Sequence, residues 1–311
     1  MMKTVYQYLR LCRFPTVFTA LPDILMGFLL THTALEPLSK VIPLLFASAG
    51  LYLAGMVFND YFDVAQDTQE RSQRPIPSGA VSRQSAFIFG SVLMLGGLLC
   101  AWLASMASLL VALMLAAAVL LYDGPMKRTP LGPLFMGSCR FLNVILGASA
   151  AGIRFGSAWQ QPQLWIAACM GLYIVGVTLF ARRESGTSSK LSLGVALLVT
   201  HVGLLGLAAY IMDWTTSLGM LLGAGGVEKP WTVLLLLGAI TFTIDRNALN
   251  ALLDPQPRHV QKTVGLMLLS VIMLDAMLIY FKLGPSGMPY AIGTAALMAP
   301  AFLMKKVIPL T

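Results

Sequence analysis

The sequence predicts an all-α, polytopic membrane protein: a bundle of nine transmembrane helices, or ten if the last apolar stretch is a separate span. Three observations carry that expectation. Apolar runs of about 18 to 23 residues recur along the chain, the length that crosses a bilayer core as a helix. Hydrophobic residues make up 57% of the 311 residues and charged residues only 11%, far from the balance of a soluble domain. Lys and Arg are dense on alternate sides of the spans, as membrane insertion requires. Too little polar sequence is left for a separate soluble domain, so residues 1–311 read as one membrane domain.

In chain order, Lys3, Arg10 and Arg13 precede an apolar run from Thr16 to Leu30 that superficially resembles a signal peptide. No small-residue cleavage site follows and further spans do, so this run is expected to be a first transmembrane helix. It carries Asp23, an acid inside a span, which belongs in a bundle interior or a watery cavity, or in a hydrogen bond to a neighbouring helix. Further spans read as 41–62, 85–105, 107–122, 134–153, 163–181, 191–212, 231–250 and 264–282. The stretch 287–304 is either a tenth span or part of its neighbour.

Placing the amino terminus inside puts sixteen Lys and Arg on that side and four on the other, with Arg140 left within a helix. That bias turns the loops after spans two, four, six and eight toward the cytoplasm. It also accounts for the net charge of +8, since the basic residues are scattered over short loops; no nucleic-acid partner is implied. Cys12, Cys100, Cys139 and Cys169 are isolated and form no zinc or disulfide pattern.

The first of these loops, after span two, is the most informative. In NDYFDVAQDTQERSQRPIPSG, Asn59 to Gly79, the residues Asn59, Asp60, Asp63 and Asp67 would project to one face of a helix. They sit at a helix C-terminus, beside a negative macrodipole end and an anionic leaflet, so something positive must compensate them. Two partners suffice: a hard divalent cation that bridges to a phosphorylated substrate, or ion pairs with Arg71 and Arg74.

Lys127 and Arg128, in YDGPMKRTPLG, suit a diphosphate, and equally suit a juxtamembrane position. Arg140 lies in the first turns of span five, where a cation needs a nearby anion; with Asn143 one turn on, it lines a cavity or pairs with a carboxylate elsewhere. Arg182, Arg183 and Glu184 close span six. Thr243, Asn247, Asn250 and Asp254 form a polar stripe on span eight, explained as well by helix packing as by a substrate path. Asp275 is an unassigned intramembrane acid, and His201 reads as a hydrogen-bonded interior residue.

The run N-D-x-x-D-x-x-x-D from Asn59 to Asp67, followed by RPIPSG from Arg74 to Gly79, closely resembles the UbiA superfamily of intramembrane prenyltransferases. YDGPMKRTPLG is similar to that family's Tyr-x-x-x-Lys segment, and RTPLGPLFMGSCRFLNVILGA with TLFARRE is most similar to its EboC-like branch. The resemblance implies a nine-helix bundle around a central cavity, open laterally to lipid, with Mg²⁺ near the cytoplasmic face of the cell membrane. It implies metal binding by Asn59, Asp60, Asp63 and Asp67, and catalysis by Asp60, Asp63, Asp67 and Lys127. Asn59, Arg74, Tyr122, Arg128, Arg140, Asn143, Arg182 and Glu184 are then the substrate-binding set.

The implied activity is transfer of an isoprenyl group from an isoprenyl diphosphate to a lipophilic acceptor, aromatic ones included, with pyrophosphate release. Membrane lipids are the remaining partner. Two departures stand out: Tyr122 and Lys127 are five apart rather than four, and the family's second motif, D-x-x-x-D, reads ARRES at Ala181 to Ser185. The second departure keeps an alternative open, a non-catalytic UbiA-like lipid-binding or isoprenoid-binding protein or a transporter.

Overall fold

The computed structural model describes residues 2–152, 155–182, 186, 188–214 and 225–305. Among these the regular structure is helical throughout. Helix α1 (Met2–Leu11) leads into a 3-10 turn, Phe14–Thr19, and then α2 (Leu21–Leu29). Arg13 enters the turn in the left-handed region, φ 45° and ψ 49°, and Pro15 and Pro22 interrupt the hydrogen-bond ladder. The chain is thus bent by 40° between Thr4–Leu11 and Phe14–Leu29, and the expected first span, Thr16 to Leu30, falls on the second of these segments.

Helix α3 (Leu38–Phe62) ends at Asp63, whose ψ of 4° leaves the helical region, and α4 (Val64–Glu70) restarts after it. A hairpin follows, α5 (Arg83–Ala104) and α6 (Met106–Leu121), each started by a serine, Ser82 and Ser105, whose hydroxyl accepts from the third N–H onward. Then come α7 (Gly132–Ala148), α8 (Gln163–Ala181), α9 (Lys190–Ile211), α10 (Pro230–Leu253) and α11 (Pro257–Leu283). The chain turns at Gly284, φ 64°, into α12 (Met288–Ala296) and α13 (Met298–Lys305).

Eight helical stretches are long and apolar enough to cross a bilayer, nine with the bent amino-terminal pair. The last of the eight, Pro257–Met304, has 48 residues. Fully extended as one helix it would reach about 72 Å, more than twice a bilayer core. Instead α12 packs back on α11, and α13 reaches the 3-10 turn at Phe14–Thr19; this returning segment is the stretch that the sequence left open as a tenth span. The protein is a multi-pass membrane bundle. Its outer face carries exposed Leu95, Leu198, Leu235 and Phe242, as contact with lipid tails requires.

Small residues set the closest helix contacts. A Cβ on Gly147 would lie 2.6 Å from the Ile24 carbonyl oxygen, and one on Gly27 would overlap that of Val144. This contact lays α2 against α7 backbone to backbone, and so brings Asp23 to Arg140 and Asn143.

Candidate functional site

A cavity of about 850 Å³ is enclosed by α2, α3, α6, α7, α8 and α11. From α3 it receives Ser48, Leu51, Tyr52, Gly55, Met56 and Asn59, a stripe at i, i+3, i+4, i+7, i+8 and i+11 on one helical face. The middle is apolar: Leu115 and Val119 from α6, Met136 from α7, Ile174 and Val177 from α8, Val264 and Leu268 from α11. The two ends are polar.

At the end beside the 59–79 loop, Arg13, Asn59, Arg71, Tyr122 and Asp123 line the wall. Around them the acids of the first motif are held by cations of the chain itself. Asp60 accepts from Arg13 at 2.7 Å and from Arg74 at 3.1 Å; Asp67 accepts from Arg74 at 2.6 Å; Asp63 accepts from Lys127 and lies 3.7 Å from Arg128. Asp60, Asp67 and Arg74 are 3%, 2% and 5% exposed, so these pairs are buried and each partner depends on the other. The RPIPSG turn makes this possible, since it folds Arg74 back beneath both helices, with the Ser78 N–H bonded to the Arg74 carbonyl and Gly79 at φ 74°.

Because the helix breaks at Asp63, the four side chains do not share one uninterrupted helical face. Asn59 turns into the cavity and donates to Asp123 at 2.9 Å, Asp60 and Asp67 face Arg74, and Asp63 faces Lys127. Among the described residues no three His, Cys, Asp or Glu side chains stand together as a ready-made metal shell. Ion pairing, one of the two compensations open in the sequence, is present, with Arg74 as expected. Arg71 instead lines the cavity and has no ion pair among the described residues.

The five-residue spacing of Tyr122 and Lys127 has a local explanation. Tyr122–Met126 is a π turn in which the Lys127 N–H bonds the Tyr122 carbonyl at 2.9 Å. The extra residue is absorbed as a bulge, Tyr122 still lines the cavity and Lys127 still reaches Asp63. The bulge also carries Asp123, 5% exposed, with no cation within ion-pair distance among the described residues.

Arg128 is largely exposed and also bonds Gln66 at 3.4 Å. Arg182 is exposed and bonds the Thr129 carbonyl; α8 turns Thr178 and Ala181 to the cavity instead. Arg183 and Glu184 lie outside the described residues.

Arg140 and Asn143 line the opposite end, and their anion is Asp23. Arg140 donates to Asp23 at 2.5 Å and to the Thr19 carbonyl at 2.8 Å; Asn143 donates to Asp23 at 2.7 Å and to the Ala20 carbonyl at 2.8 Å. Both sequence readings of Arg140 hold at once, cavity wall and carboxylate partner. Ser48 completes the group by donating to Asn143 at 2.8 Å.

His201 is held by the Leu197 carbonyl and Asp245, and the α10 stripe makes local bonds such as Asn247 to the Thr243 carbonyl, away from the cavity. Sequence reasoning missed Arg13, Arg71 and Asp123 as cavity residues. Asp123 had a signal, its place inside the motif with the irregular spacing.

Residues 20–212 match the model of the UbiA prenyltransferase family. Among curated proteins, the digeranylgeranylglyceryl phosphate synthase of Methanoregula boonei is 38% identical over 41% of this chain and 42% of its own length. That of Methanosarcina barkeri is 32% identical over 50% and 58%. The chain thus spans about half the length of the curated relatives it matches. Among solved structures, a digeranylgeranylglyceryl phosphate synthase superposes with a TM-score of 0.65 at 20% identity, covering 91% of this chain and 99% of the other. An apo UbiA homolog from Aeropyrum pernix K1 gives 0.62 at 21%, covering 85% and 96%. At these identities the likeness establishes the fold.

Proposed function

The chain belongs to the UbiA prenyltransferase family, and from that premise we propose that it is a membrane prenyltransferase. It would take an isoprenyl diphosphate as donor, release pyrophosphate and alkylate a lipophilic acceptor. The observation that carries this reading is the cavity itself, cationic at one end and apolar through its middle, which matches the two halves of an isoprenyl diphosphate. The proposed orientation places the cationic end at the cytoplasmic face of the cell membrane.

Magnesium is the expected cofactor, and the donor chemistry fits it in part. Asn59 and Asp123 offer hard oxygens at the cavity wall, and Asp123 is a buried acid with no ion pair among the described residues; Asp63 is next in reach. Asp60 and Asp67 become available only when Arg13 and Arg74 release them. Bound there, the ion would neutralise the diphosphate and hold it as a leaving group. Arg71 and Arg13 would meet the diphosphate oxygens, with Lys127 shifting from Asp63 to the charge that grows as the bond from carbon to oxygen breaks. The apolar belt would take the isoprenyl tail and keep water from the allylic carbon until the acceptor bonds to it and loses its proton.

By likeness to the archaeal synthases, an acceptor built on glyceryl phosphate is one candidate. A second reading, a non-catalytic isoprenoid-binding protein, is favoured by the ion-paired aspartates and by ARRES in place of a second acidic motif. The two separate on one assay: pyrophosphate release from geranylgeranyl diphosphate by the purified protein with Mg²⁺. The enzyme reading expects release that Asp63→Asn reduces at least a hundredfold with folding intact. Donor binding without release, for every acceptor offered, would establish the second reading.

A further inference from the structure

Helix α10 turns its polar residues away from the cavity and out of the bundle. Its inner side packs through Val233, Leu237, Ile240 and Ile244, all buried. On the opposite side Leu235, Ala239, Phe242, Arg246, Leu249 and Leu253 are exposed, at successive steps of four, three, four, three and four. That spacing is the seam of a two-helix coil, and in a single copy the whole line meets lipid. Arg246 stands in the middle of it, with no ion pair among the described residues.

Lipid tails do not satisfy this arginine. It lies seven residues before Leu253, the last of the helix, and so about 10 Å inside the helix end. Helical side chains lean toward the N-terminus, which here points away from the nearer membrane surface, so the guanidinium leans inward where snorkelling needs it to lean outward. The neighbouring acid is no better placed. Asp245, with its side chain 41% exposed, bonds His201 at 3.2 Å, and His201 is halfway along α9, eleven residues from Lys190 and ten from Ile211. Charged groups at that depth are costly unless protein meets them. The same face has room for a close neighbour: a Cβ on Gly238 would meet nothing within 4 Å, so this glycine answers no packing need inside the chain, and small residues are what close membrane-helix contacts use.

The order of the charges selects the partner. Copies inserted in one membrane share one orientation, so two α10 helices meet in parallel, about a twofold axis along the membrane normal. In such a pair the residue just before a seam position flanks the seam residue of the other helix. Asp245 of each copy thus comes beside the partner's Arg246, and Asn250 beside the partner's Asp245. Acid and base at adjacent positions make the face its own complement, as an isologous contact requires. A carboxylate bonded to one imidazole keeps acceptor sites for a guanidinium.

We propose that the α10 face centred on Arg246 is a homodimer interface, in which Arg246 of each copy pairs with the partner's Asp245. The cavity takes no wall from α10, so the interface stands whether or not the chain transfers prenyl groups.

The test is subunit counting by single-molecule photobleaching of the fluorophore-labelled full chain in phosphatidylcholine liposomes, with and without phosphatidylglycerol, over a range of protein-to-lipid ratios. Two bleaching steps are expected for the wild type in either lipid. Arg246→Leu should raise the dimer dissociation constant at least tenfold without lowering the detergent-unfolding midpoint, since it also relieves a lone copy of a charge facing lipid. Independently of that variant, Ala239→Cys should give a cross-linked dimer on oxidation, above the background of the 4 native cysteines, whereas Leu95→Cys, exposed on α5, should not. A wild type that bleaches in one step at every ratio overturns the proposal. So does a dimer that Arg246→Leu leaves intact, or cross-linking through Leu95→Cys equal to that through Ala239→Cys. One step, together with an unfolding midpoint that phosphatidylglycerol raises in the wild type and not in Arg246→Leu, would assign the face to anionic lipid headgroups instead.

Discussion

Arg74 is the keystone of the motif loop, and replacing it with Met tests that claim quantitatively. The guanidinium bonds Asp67 at 2.6 Å and Asp60 at 3.1 Å while only 5% exposed. Charge-assisted bonds of this kind contribute about 1.5–3 kcal/mol each, and breaking a buried pair from one side costs about 3–5 kcal/mol. Asp60 would keep Arg13 at 2.7 Å, so the loss falls mainly on Asp67. The expected destabilisation is about 3 kcal/mol, roughly a hundredfold in the unfolding equilibrium. Arg74→Lys should recover part of it, since one ammonium cannot fork between two carboxylates.

The assay is equilibrium unfolding by denaturing detergent, run for Arg74→Met, Asp67→Asn and the double variant. Because the partners are in contact, the double variant should cost about 1.5–3 kcal/mol less than the sum of the single ones. Added Mg²⁺ should stabilise Arg74→Met more than the wild type, since Asp67 is then free to bind it. A loss below about 1 kcal/mol, the range of an exposed ion pair, would refute the reasoning. So would strict additivity of the two substitutions.

Chelation of divalent ions should abolish pyrophosphate release yet shift the unfolding temperature of the ligand-free wild type by less than about 2 °C, because Arg13, Arg74 and Lys127 already compensate the acids; scanning calorimetry with and without EDTA reads this. Lys127→Met should cut release by about a hundredfold or more while geranylgeranyl diphosphate still binds, as single-turnover kinetics and ligand binding measured side by side would show. Gly147→Val places a Cβ 2.6 Å or less from the Ile24 carbonyl. It should destabilise the bundle by about 1–3 kcal/mol, read as a lower midpoint in detergent unfolding.

The fold was largely legible because its determinants are local. Apolar length marks each span, and the alternation of basic residues sets which loops meet. The features missed were those decided over a few residues: Arg13 in a left-handed conformation, which bends the chain just ahead of the first span, and Asp63, which ends α3 where periodicity alone continues the helix. The π turn at Tyr122 belongs with them, since a spacing of five looked like a mismatch and proved to be a bulge that leaves Lys127 in reach of Asp63.

The partners of the charged side chains were less legible, because nothing in a helical period says which distant residue will answer a charge. Arg13 meets Asp60 from 47 positions away, Lys127 meets Asp63 from 64, and Arg140 meets Asp23 from 117. Within the motif loop the sequence offered Arg71 and Arg74 as equivalent partners for the aspartates. The structure separates them: Arg74 is held by two carboxylates, and Arg71 faces the cavity with no ion pair among the described residues. That division gives the site its polarity. If both arginines were spent on aspartates, the mouth would offer an incoming diphosphate only cations already engaged. With Arg71 left over, an anion can enter first, and Arg13 and Lys127 can turn to it from the carboxylates they now hold. Charge reversal at Arg71, Arg71→Glu, should therefore raise the Kd for geranylgeranyl diphosphate by about tenfold or more, measured by equilibrium binding, and should leave the detergent-unfolding midpoint near that of the wild type. Unchanged donor affinity would mean that the anion enters by another route and that the uncommitted cation at the mouth has no part in binding it.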